Sequence, residues 1–146
     1  MKTFKCIALV LLTALVFTSC SQTQKLGDLT VVQGMGIDRE EGKTRVSLQY
    51  LNLAKSSGST ETLTGNITDV SAESADSISA AVSNISKTLS REIFFGQNKV
   101  VVFGEDYAAD SMEKGMDYLL RSDYSRPDVA VAMAQGFAKE ILENKE

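Results

Sequence analysis

The sequence predicts a single α/β (α+β) domain, a mixed β-sheet with packed helices, in the order β-β-(β)-α-β-α-β-α. Three observations predict it. Val46, Leu48 and Tyr50 alternate with Arg45, Ser47 and Gln49, the period of a half-buried strand. Residues 99–103, "KVVVF", form a continuous apolar run closed by Gly104, as a strand buried on both faces does. Ala75, Ile78, Val82, Ile85 and Leu89 recur at steps of three and four, which draws one apolar stripe along a helix.

The elements follow in order. Residues 28–38 and 43–53 read as two strands around the turn "REEG", with Gly42 supplying the turn conformation. Gly34 and Gly36 invite a phosphate-loop reading, but such a loop lies between a strand and a helix N-terminus. Here the glycines fall inside a strand pattern, where a bulge or a close backbone approach is the ordinary meaning. Residues 54–60 read as a loop and 61–66 as a candidate short strand. A helix is expected over 71–90, with Ser71 as N-cap and Glu73 and Asp76 in its first turns. Core packing is the expected role of its stripe, ahead of a partner groove. Residues 91–95 link to the central strand. One helical turn is expected over 105–109, then a helix capped by Asp110 or Ser111 and running to Arg121. Pro127 precedes a last strand over 128–134, and a final helix begins at Phe137.

The N-terminus has a different character. Residues 1–5, "MKTFK", are basic, and residues 6–17 are an apolar run too short for the about 20 residues that span a bilayer. Basic head, short apolar run and small residues make a secretory signal. Phe17-Thr18-Ser19-Cys20 resembles the bacterial lipobox, with Phe17 where an aliphatic residue is usual. The competing reading is a plain signal peptide with an incidental cysteine; the two small residues before Cys20 favour the lipobox. The expected organisation is a lipoprotein signal peptide over 1–19, the lipidated Cys20 with a polar tether over 20–27, and the domain over 28–146. A diacyl group on Cys20 supplies the two chains that stable anchoring requires. Cys6 leaves with the signal and Cys20 is blocked by lipid, so no thiol is left for a disulfide, a metal or catalysis.

Charge and composition exclude several functions. The chain holds 15 Lys+Arg and 19 Asp+Glu, and without Lys2 and Lys5 the 13 remaining bases leave the mature part at −6. With no basic block, nucleic acid is not an expected partner. Histidine is absent, so the commonest general base and metal ligand is missing. Asp38, Glu40 and Glu41 lie close in sequence and could hold a cation, but their spacing fits no calcium loop, and a solvated turn is the expected reading. Asp106, Asp110 and Glu113 read as a helix surface. The expectation is no enzyme, no catalytic residues, no metal and no cofactor.

Several segments together carry a resemblance. "VVQGMGID", "GKTRVSLQYLN", "REIFFGQNKVVVFGEDYA" and "MDYLLRSDYSRPDVAVAMAQGFAKEIL" resemble, in order and spacing, the N-terminal domain of the Ger(x)C family, the C subunits of bacterial spore germinant receptors. Gln97 stands where family members often carry His. The family is usually longer, so the expectation covers its N-terminal domain only. The resemblance implies a lipoprotein on the outer face of the spore inner membrane. It implies integral membrane receptor subunits as partners, one similar to an amino-acid transporter, and a role in spore germination without catalysis. A small solute-binding or other surface lipoprotein of a Gram-positive bacterium is the alternative, although the chain is short for a two-lobed cleft.

Overall fold

The computed structural model describes residues 29–52, 67–121 and 128–144. Strand β1 (Leu29–Glu40) pairs antiparallel with β2 (Lys43–Leu51), with Glu40 opposite Lys43. That register leaves Glu41 and Gly42 as a two-residue loop, both at positive φ (48° and 78°). Such a turn matches the right-handed twist of the strands it joins. The ladder steps from Val32↔Tyr50 to Gly34↔Gln49, so Gln33 is an extra residue, a bulge where the glycine pair begins.

Strand β3 (Thr68–Ala75) pairs antiparallel with β2 from Thr44↔Ala75 to Leu51↔Thr68. This corrects the helix expected to begin at Ser71, which lies in β3 opposite Leu48. Helix α1 (Ile78–Leu89) begins later, capped by Ser77, whose Oγ accepts a hydrogen bond from the Ala80 N–H at 3.2 Å. Glu73 therefore belongs to the sheet, and Ala75 to the strand rather than the stripe. The helix ends at Ser90, in the left-handed region at φ 51°, with its N–H turned back to the Lys87 carbonyl.

The link expected after the helix contains a strand, β4 (Glu92–Phe94), parallel to the first residues of β1. Strand β5 (Val100–Phe103) runs parallel to the middle of β1. Helix α2 (Glu105–Arg121) breaks at Ser111 (φ −139°, ψ 16°), where the sequence placed a turn followed by a capped helix. Strand β6 (Ala130–Met133) is parallel to β5, and α3 (Ala138–Glu143) closes the described chain. The sheet order is β3-β2-β1-β5-β6, an antiparallel meander on one side of β1 and parallel strands on the other, with β4 beside the start of β1. The expected mixed sheet with packed helices is what forms.

The two-residue period of the strands separates the faces. Met35, Ile37, Val46, Leu48, Val101 and Phe103 are buried in one core with Ile78, Ala81 and Ile85 of α1 and Tyr107 and Leu119 of α2. Burying each Val, Leu, Ile, Met or Phe side chain here contributes about 1.5–3 kcal/mol. Phe103 and Tyr107 stack with centroids 5.9 Å apart, and Gly115 passes directly over Phe103, where a Cβ would strike the ring. The opposite face holds a smaller core of Val102, Ala134 and Ala138. There α3 lies across β1, β2 and β3.

Candidate functional site

The segment Gly34-Met35-Gly36-Ile37-Asp38 organises the face beneath α3. A Cβ on Gly36 would stand 3.1–3.2 Å from Leu142 and Ala138, and one on Gly34 would stand 3.0 Å from Leu142. The glycines let α3 lie against the backbone of β1, the close approach expected of them and no phosphate cradle. Gln49 fastens the helix end by donating from Nε2 to the Leu142 carbonyl at 2.9 Å.

Asp38 continues this register and caps the same helix. Its carboxylate accepts hydrogen bonds from the N–H groups of Ala138 (2.7 Å) and Lys139 (3.1 Å). Phe137, at the N-cap position, offers no side-chain bond of its own. Asp38 is 1% exposed, so the expected solvated turn does not describe it. Burial pushes its carboxyl above the ordinary value, and the two backbone donors oppose that shift. Gly104 makes room for the carboxylate, since a Cβ there would collide with Asp38 Oδ1. Gly136, at φ 87°, donates to Glu105 Oε2 (3.2 Å) and accepts from the Glu105 N–H (3.0 Å). The result is a joint tying the C-terminal ends of β1 and β5 to the N-termini of α2 and α3. The hollow beside it measures about 150 Å³, lined by Asp38, Arg39, Gly104, Glu105, Asp106, Gly136 and Phe137.

The three carboxylates of the turn do not converge. Glu40 pairs with Arg45 at 2.6 Å and accepts from Ser74 Oγ at 3.2 Å, and Glu41 is exposed in the turn. Among the described residues no group of three metal-ligating side chains occurs. Asp106 borders the small hollow, Glu113 is exposed and Asp110 pairs with Arg39. Arg39 also donates to Ser111 Oγ at 2.6 Å, and its guanidinium lies 5.6 Å from the centre of the Tyr107 ring. It thus fastens the break in α2 to the end of β1, a role sequence reasoning missed. An open groove of about 740 Å³ runs between α1 and α2, with Ile78, Val82, Tyr107 and Tyr118 among its walls. Cys20, the signal peptide, the tether and the candidate strand over 61–66 lie outside the described residues. Among the described residues, no helix is long and apolar enough to cross a membrane.

Fold and joint together define a mixed-sheet α/β domain whose first strand clasps its last helix. The chain belongs to the family described as "Spore germination protein N-terminal domain", which it matches over residues 22–146. The putative spore germination protein YfkR of Bacillus subtilis (strain 168) is 27% identical over 143 residues, which are 95% of this chain and 37% of that protein. Spore germination protein KC of the same organism is 30% identical over 122 residues, 80% of this chain and 29% of that protein. The chain thus spans about a third of the length of these curated relatives. No solved structure matches it significantly.

Proposed function

We propose that this domain serves spore germination as part of a germinant receptor, in a lipoprotein subunit that acts by placement rather than catalysis. The observation that carries the reading is the family match beginning at residue 22, immediately after the lipobox-like Phe17-Thr18-Ser19-Cys20. In this reading Cys20 carries a diacylglyceryl group and holds the domain on the outer face of the spore inner membrane. Its partners there are the integral membrane subunits of the receptor. The names of the relatives support germination, and the acidic mature chain suits a role without nucleic acid.

The test is Cys20→Ala in a spore-forming host. Radiolabelled palmitate should no longer enter the protein, and the protein should leave the membrane fraction. Its spores should germinate slowly with the germinant that the parent receptor serves. Palmitate labelling that persists, or variant protein that stays in washed membranes, would refute the anchor at Cys20. Normal germination with a fully released protein would refute placement as the mechanism.

A further inference from the structure

The two ends of the β3-β2-β1-β5-β6 path are built differently. The β3 edge carries Asp69 and Glu73, acidic groups of the kind that discourage strand addition. The β6 edge carries Ala130, Val131, Ala132 and Met133, all exposed and none charged. Val131 is 41% exposed and Met133 66%. Parallel strands are ordinarily covered by helices on both faces, whereas β6 shows side chains to solvent on both.

The hydrogen bonds decide which backbone groups are free. The Ala130 N–H donates to the Lys99 carbonyl (3.0 Å) and the Ala134 N–H to the Phe103 carbonyl (2.8 Å). The even-numbered residues therefore bond toward β5. Alternation turns the N–H and C=O of Val131 and Met133 outward, to an edge that no described strand occupies.

We propose that this edge pairs with β6 of a second copy of the chain, antiparallel, about a two-fold axis through Ala132. The strand is self-complementary in that register. Val131 faces Met133 of the second copy and Met133 faces its Val131, two hydrogen-bonded pairs that exchange all the outward backbone groups. Ala132 meets Ala132 of the second copy at the closer spacing of a non-hydrogen-bonded pair, where a methyl group fits. An isologous contact of this kind closes at a dimer. Among the described residues nothing covers this edge, since helix α3 starts beside Gly36, ends beside Gly34 and Gln49, and lies over β1, β2 and β3.

The test is a cross-link. The full chain carrying Ala132→Cys is expressed in the membranes of a spore-forming host and oxidised. Across a non-hydrogen-bonded pair the Cα atoms stand about 4.5 Å apart, within disulfide reach. A product of twice the monomer mass is expected. It should be absent from the parent chain, whose cysteines are Cys6 and Cys20 alone, and from Ser71→Cys on the β3 edge. Adding Val131→Lys and Met133→Lys to Ala132→Cys sets like charges opposite one another and should cut the yield roughly tenfold. No dimer from Ala132→Cys, equal dimer from Ser71→Cys, or a cross-link to a different protein would each overturn the proposal.

Discussion

Asp38 caps a helix from which 100 residues of chain separate it. Its carboxylate sits in a place cleared by Gly104, and its two oxygens take the first free N–H groups of α3. Burial raises its pKa above the ordinary 3.8, so the folded chain holds the proton more tightly than the unfolded chain. The sign of the linkage follows. Stability from this group is fully present below pH about 4 and is lost as pH rises through the raised folded value. Asp38→Asn removes that slope. Its amide accepts from one N–H and turns an NH₂ toward the other, so it should cost about 1–3 kcal/mol. The gap between parent and variant, measured by urea unfolding from pH 4 to 7, should narrow as pH rises. A gap that widens would mean that the two backbone bonds outweigh burial.

Helix α1 is held by the residues that its period displays. Ile85 and Ala81 are fully buried and Ile78 nearly so, while Val82 is half-buried on the groove wall. Ile85→Asp should therefore destabilise by several kcal/mol, as an unpaired charge in the core does. Val82→Asp should cost less, and Ser79→Asp, which is exposed, should stay within about 0.5 kcal/mol. Thermal melts of the three variants check the ranking, and equal melting temperatures would remove α1 from the core. The stripe was legible because helical period is local, and the hairpin was legible for the same reason. Strand β3 was not. "TDVSAESA" is rich in Ala, Ser and acidic residues, and its pairing with β2 overrides that weak preference. The three residues of β4 are likewise a strand only because β1 lies beside them. In the joint, Gly34 and Gly36 announced a close approach but not what approaches. Nothing near Asp38 or Arg39 in sequence points to Ala138 or Ser111.

At the scale of the whole molecule, the proposed anchor fixes a direction. Residues 21–28 separate Cys20 from Leu29, the start of β1. Eight residues reach at most about 29 Å, so the starting end of β1 would be held near the membrane. The joint at Asp38 lies toward the far end of that strand, whose twelve residues rise about 3.3 Å each. The membrane-side end then carries the beginnings of β1 and β4, while β5 and β6, parallel to them, begin level with the middle of β1. An anchor with so short a lead acts as a source of local concentration, up to roughly millimolar, for any partner in the same bilayer. This sets the result of a tether series. A chain starting at Ser21 without lipid should unfold at the same urea concentration as the anchored domain, yet fail to support germination. Transplanting the domain onto another lipobox with a lead of equal length should restore it. A lead four times as long lowers local concentration about eightfold, by the three-halves power of length. Germination rate, followed by loss of optical density, should then fall in steps with lead length rather than vanish. Full germination with the untethered domain would show that local concentration is not what the anchor supplies.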